Sequence, residues 1–247
     1  MLTDPPPKRW GLGATLGFSA IILVLYVFAP VGVAAVLYAL RLRDDHSMDI
    51  DSEAFMVSLS YNGDFIAFSI IATTLMGLAA IALFVALRRG ITLKQYLEIY
   101  PVGLGELTRW LGVVLVCGLV MDGLSWVLDR PMVPDFMLDI SKAENQTMLW
   151  LSIVVAAPVL EEFFFRGFLF EGLRSSPLGS VGAILLTSIL WSSIHLQYGI
   201  YEISLIFLFG LVLGVAKIKT QSLHTTLAMH SLFNLISMVQ LAMLLQT

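Results

Sequence analysis

The stretch that decides the fold is Trp150-Leu-Ser-Ile-Val-Val-Ala-Ala-Pro-Val-Leu-Glu-Glu-Phe-Phe-Phe-Arg-Gly-Phe-Leu-Phe170. It is long and apolar enough to cross a bilayer, yet it carries Glu161, Glu162 and Arg166. Each ionised side chain near a helix centre costs roughly 2.5–3.5 kcal/mol on the insertion scale. Three left unpaired would cost on the order of 8–10 kcal/mol. They must pair or face a wet cavity. Glu162 and Arg166 stand at i and i+4 with the acid N-terminal, the favourable order for an ion pair. Glu161 and Arg166 diverge by roughly 140° around a regular helix. Glu161 is left without a local partner, and an intramembrane carboxylate of that kind reads as functional.

The rest of the chain repeats the apolar pattern. Of 247 residues, 58% are hydrophobic and 13% charged, with mean hydropathy +0.87. A soluble domain carries about 25% charged residues, so this composition excludes one. The expected fold is an all-α, polytopic transmembrane helix bundle of about seven spans, at 10–40, 65–87, 107–128, 147–173, 178–196, 203–216 and 223–245. The first is long enough to tilt or to kink at Pro30. Net charge is −4 with no basic cluster beyond pairs, so no nucleic-acid partner is expected. A single cysteine, Cys117, builds neither an internal disulfide nor a cysteine metal cluster.

Loop charges orient the bundle. With a cytoplasmic N-terminus, the inner side holds Lys8, Arg9, Arg88, Arg89, Lys94, Arg109, Arg174, Lys217 and Lys219. The outer side holds Arg41, Arg43, Arg130 and Lys142. This bias favours N-inside in a multi-pass protein of the cell membrane. The acidic run Asp44, Asp45, Asp49, Asp51 and Glu53 then forms an outer, solvated connector. Residues 92–100 form a short amphipathic helix on the membrane surface, with Thr92 as N-cap, Pro101 as its end, and Leu93, Tyr96 and Leu97 on one face. Glu171 snorkels at the inner end of its span.

Two later spans add polar groups. Ser188, Ser192 and His195 share one helix face, and so do Thr226, His230, Asn234 and Ser237. Alone, each histidine reads as a satisfied core residue or a source of interhelical hydrogen bonds. Together with Glu161 they imply one site in the bundle core, around a water or a metal ion. Gly210 and Gly214 form a small-xxx-small pattern for close helix packing. Asp122 is a further acid within a span, its role left open.

Glu161-Glu162-x-x-x-Arg166, Trp191-x-x-x-His195 and His230-x-x-x-Asn234 resemble, in order, the three motifs of the CPBP intramembrane proteases, which include type II CAAX prenyl endopeptidases and bacteriocin-processing or Abi-type proteins. Trp191 stands where phenylalanine is more usual, a change expected to matter little because the aromatic ring is kept. The resemblance divides the chain into N-terminal helices with the short surface helix (1–144) and a catalytic core (145–247). It implies an intramembrane endopeptidase that hydrolyses a membrane-anchored protein or peptide near its C-terminus. Glu161 would be the catalytic glutamate, His195 would hold or activate water, and His230 and Asn234 would polarise the scissile carbonyl and stabilise its oxyanion. Glu162 and Arg166 would support them. A zinc version uses Glu161, His195 and His230 as ligands, since two histidines and a carboxylate form a known catalytic set; a metal-free glutamate version uses the same residues directly. The alternative class is a non-proteolytic transporter, immunity or scaffold protein on this fold.

Overall fold

The computed structural model describes residues 9–44 and 52–246. Helix follows helix, with no strand among these residues. The ten helices are α1 (Leu12–Asp44), α2 (Ser52–Ser60), α3 (Gly63–Ala86), α4 (Leu93–Leu97), α5 (Leu104–Val127), α6 (Asp135–Ile140), α7 (Gln146–Arg174), α8 (Gly179–Ser193), α9 (Ile200–Thr220) and α10 (Leu223–Leu244). Side-chain oxygens open several of them. Asn62 caps α3 through Phe65 N, and Asn145 caps α7 through Met148 N. Thr92 and Gln95 form a reciprocal capping box on α4.

Six helices are long and apolar enough to cross a membrane, namely α1, α3, α5, α7, α9 and α10. The protein is a multi-pass integral membrane bundle. The fifth expected span is the exception. It forms α8, only 15 residues long. At 1.5 Å per residue that is about 22 Å, short of a hydrocarbon core of about 30 Å. The chain leaves the helix after Ser193 in tight turns, with His195 N bonded to Ser192 O and Tyr198 N to His195 O. Trp191 therefore sits at the end of a shortened helix inside the bundle, and His195 in the turn that follows it. The acidic run 44–53 lies outside the described side chains.

The central helix is α7. Forty-four per cent of its most apolar window is buried, against 11% for α5, so α7 forms the axis and α5 a flank. Its winding is not regular. Ser152–Ala156 and Glu162–Leu169 are π-helical, on either side of a short α segment that contains Pro158. Proline has no N–H to give the preceding turn, and π winding is one way a helix absorbs that loss. Phe164, Phe165, Phe168, Leu169 and Phe170 pack into a core with Ile81 and Phe84 of α3, Leu97 of α4 and Leu213 of α9. Gly210 and Gly214 lie against α8, where an added Cβ would meet Ser188, Trp191 and Ile184 at 3.0–3.1 Å. The small-residue pattern thus sets the close approach of α9 to α8.

One end of the bundle is tied by buried charge. Glu98 takes Lys217 Nζ at 2.9 Å, Arg174 at 2.6 Å and Arg9 at 3.0 Å. Glu171 takes Arg174 at 2.7 Å and Arg9 at 3.0 Å. Glu171 and Lys217 are fully buried, so Glu171 does not snorkel and Lys217 is not a loop charge. Helix α4 is likewise not a free surface helix. Tyr96 and Leu97 are fully buried, Tyr96 stacks on Phe168, and Leu93 is left outside. It ends at Glu98, in the left-handed region at φ 56°, well before Pro101. That turn aims the carboxylate back at the cations. Burial works against its ionised form, but Lys217, Arg174 and Arg9 outweigh it and hold the Glu98 carboxyl below its usual range.

Candidate active site

Glu161, His195, His230 and Asn234 line one cavity of about 410 Å³. Its walls come from α1 (Tyr26), α3 (Ser69, Thr73), α5 (Met121, Asp122), α7, the turn after α8 (Tyr198), α9 (Phe209) and α10. The four groups named from the sequence therefore share one space, in a mostly apolar wall.

Glu161 is 6% exposed. Its Oε2 accepts the indole N–H of Trp191 at 2.5 Å, and His230 Nε2 stands 3.9 Å from the same oxygen. No hydrogen bond within the described residues engages Oε1. Glu162, one position on, is fully buried and serves a different set. Its Oε1 lies 3.4 Å from Arg166 Nη1, the i,i+4 pair, and 3.0 Å from His230 Nδ1. No Glu161–Arg166 pair forms among the described residues. The guanidinium also lies 4.4 Å from the Trp191 ring centroid and reaches the Gly210 carbonyl at 3.4 Å. Gly210 is thus more than a packing position, since its carbonyl helps hold Arg166.

These bonds assign the imidazole nitrogens. A carboxylate only accepts, so His230 Nδ1 carries the proton toward Glu162. Its Nε2 faces Glu161 as an acceptor when the ring is neutral and as a donor when it is imidazolium. His195 Nδ1 is 2.8 Å from the Trp191 carbonyl, which also only accepts, so its Nε2 is left unprotonated in the neutral ring. Asn234 Nδ2 donates to the Ile153 carbonyl at 2.8 Å, in the first π-helical stretch. The second amide hydrogen and Oδ1 are not used in that bond.

Serine and threonine at the flanking positions are spent locally. Ser188, Ser192 and Ser237 bond carbonyls of their own helix, and so does Thr226, whose hydroxyl also lies beside the Glu162 carboxylate. Asp122 lines the cavity and accepts from Gln240 Nε2 at 2.8 Å, joining α5 to α10. Tyr198 stacks near His195, with ring centroids 6.2 Å apart. Its phenol is pushed up to about 12, first by burial and then by the carboxylates of Glu161 and Glu202, against a hydrogen bond with Gln197.

Two features were not read from the sequence. The indole of Trp191 supplies an N–H that phenylalanine lacks, so the departure from the usual residue changes the site. The signal was available, because an indole N–H inside a membrane needs an acceptor. The Glu162–His230 contact had no such signal, since it depends on how α7 and α10 are rotated against each other.

Among the described residues, no three His, Cys, Asp or Glu side chains are arranged to hold a metal ion. Each histidine spends Nδ1 on a carbonyl or carboxylate and leaves Nε2 open, the bonding that a metal-ligating histidine has. As they stand, Glu161, His195 and His230 do not converge on one point as the zinc set would require.

A multi-pass helix bundle with a carboxylate, two imidazoles and an amide around an intramembrane cavity is the class of protein defined so far. Residues 143–236 match the family described as type II CAAX prenyl endopeptidase Rce1-like. Over these residues the chain is similar to that family, in keeping with its resemblance to the CPBP proteins, and the family indicates a protease. No curated protein and no solved structure matches the chain.

Proposed function

We propose that the protein is an intramembrane endopeptidase in which Glu161 activates water for attack on a peptide bond of a membrane-anchored protein or peptide. The observation that carries this reading is the placement of Glu161, with an unengaged Oε1, in the cavity shared by His195, His230 and Asn234. Glu161 accepts a proton from water. The water oxygen bonds to the scissile carbonyl carbon, and the carbonyl electron pair moves onto its oxygen. The remaining amide hydrogen of Asn234 and His230 Nε2, as imidazolium, stabilise that charge. The C–N bond then breaks, and the proton held by Glu161 passes to the leaving nitrogen. His195 Nε2 orients the water. Glu162 and Arg166 fix the His230 ring.

Residues 145–247 form the catalytic core in this reading, and the preceding helices supply the far wall of the cavity. Cleavage near the substrate's C-terminus, in the cell membrane and with the N-terminus of the protease in the cytoplasm, completes the proposal. The first rests on the resemblance and the last on the loop charges. The test compares N-terminal and C-terminal peptides from cells carrying the parent protein and cells carrying Glu161→Gln. New termini confined to membrane proteins of the parent cells are expected. Identical termini in both would defeat the reading.

A further inference from the structure

We propose that Trp191 is the positioning residue of this site, its indole N–H holding Glu161 Oε2 so that Oε1 is the oxygen that takes the proton from water. The inference rests on Glu161 acting as the base and says how that base is held. Among the described residues no lysine or arginine pairs with Glu161, because Arg166 belongs to Glu162. His230 Nε2, at 3.9 Å, is beyond hydrogen-bond reach of it. The contact that orients the carboxylate is the 2.5 Å bond from Trp191, which comes from another helix 30 positions along the chain. An indole has one N–H and can spend it only once. It is spent on Oε2, and Oε1 stays unengaged in the cavity.

The same residue sets the rest of the site. Its ring meets His195 edge-on with centroids 5.4 Å apart, and His230 edge-on at 5.1 Å. Its own face carries the Arg166 guanidinium. Its backbone carbonyl fixes the His195 ring through Nδ1. Trp191 is 2% exposed and packs against Gly210, where an added Cβ would lie 3.1 Å from the indole. The ring therefore cannot slide along the carboxylate. Glycine on α9 and the indole on α8 together locate Glu161 relative to both imidazoles. A phenylalanine would keep the ring contacts and leave Oε2 unheld, free to rotate about the last side-chain bond.

Two substitutions separate the N–H from the ring. Benzothienylalanine placed at position 191 alone exchanges the indole N–H for sulfur at nearly the same shape. Trp191→Phe removes the N–H and part of the bulk. In the full-length protein in lipid nanodiscs, the indole ¹H–¹⁵N spectrum has five tryptophans to show, and Trp191→Phe identifies the signal of Trp191. That signal is expected downfield of the others and should move upfield in Glu161→Gln. A Trp191 signal unchanged by Glu161→Gln overturns the bond and the proposal with it. On a substrate found by the terminal-peptide comparison, both position-191 variants should lose about 10²-fold in kcat, the scale of a small misplacement of a reacting group. KM should hold within about twofold, as expected when ground-state binding is untouched. Parent-like kcat in the benzothienylalanine protein, with Glu161→Gln inactive, overturns the positioning role and leaves the protease reading standing. Parent-like turnover in Glu161→Gln itself overturns both.

Discussion

Glu162 Oε1 accepts His230 Nδ1 at 3.0 Å, between residues 68 positions apart on α7 and α10. The same oxygen faces Arg166 at 3.4 Å. One buried carboxylate thus balances the arginine and fixes the imidazole. Glu162→Leu leaves a buried arginine without its counter-charge, which should cost about 3–5 kcal/mol. Adding Arg166→Leu should recover most of that loss, since apolar replacement of a whole buried pair is often neutral. Activity should stay low in the double variant because His230 has lost its partner. Unfolding in denaturant and turnover on the same preparations give both readings. Recovery of full activity in the double variant would show that Glu162 supports the fold alone.

Asn234 lines the cavity with one amide hydrogen on Ile153 O and a second that no hydrogen bond among the described residues engages. Asn234→Ala should lower kcat about 10²–10³-fold if the second hydrogen meets the developing oxyanion. The lost bond to Ile153 should cost only about 1 kcal/mol of stability. A fall in activity no larger than the fall in folded protein would assign Asn234 to structure.

The Glu98 cluster makes stability depend on pH. Its carboxyl is held low in the folded protein, chiefly by Lys217 acting against burial. A group with a depressed folded value stabilises above its unfolded value, about 4.3 for glutamate, and loses that contribution as pH falls through the folded one. The midpoint of thermal unfolding should therefore drop on acidification below about pH 4.3. Glu98→Gln should be less stable at neutral pH and show a shallower acid loss. An identical acid profile in parent and variant would remove Glu98 from the account.

Among the described residues, the charged side chains that line the cavity are Asp122, Glu161 and Glu202 with the two histidines, with no lysine or arginine. A free C-terminal carboxylate inside this space meets like charge. At about 10 Å and an effective dielectric of about 20, one such pair costs roughly 1.7 kcal/mol, more than a tenfold effect. Amidating the C-terminus of a short peptide substrate should raise kcat/KM about tenfold. A fall on amidation would mean that the enzyme uses the carboxylate for recognition.

What the sequence made legible was geometry internal to one helix. The pairing of Glu162 with Arg166 follows from i,i+4 spacing, and it survives even though that stretch winds as a π-helix. The close approach of α9 through Gly210 and Gly214 was legible for the same reason, because two small residues on one face need no knowledge of the partner. Contacts between helices were less so. Trp191 reaches Glu161 and Lys217 reaches Glu98 only because of helix depth and rotation, which a 3.6-residue period does not fix. The length of α8 was misjudged because the apolar run continues through Ile194 and Leu196 after the helix has already turned at Ser193. Hydropathy cannot distinguish that continuation from helix.

The most direct measurement is single-turnover cleavage by purified parent and Glu161→Gln proteins in nanodiscs, each with and without a zinc chelator. Glutamine keeps size and hydrogen bonding but removes basicity, so the rate should fall about 10²–10⁴-fold while the folded protein stays in the membrane. Parent activity indifferent to the chelator, in protein free of bound metal, is the result this geometry predicts; activity lost with chelator and restored by zinc would move Glu161 from base to ligand. Cleavage by Glu161→Gln at the parent rate would contradict the account.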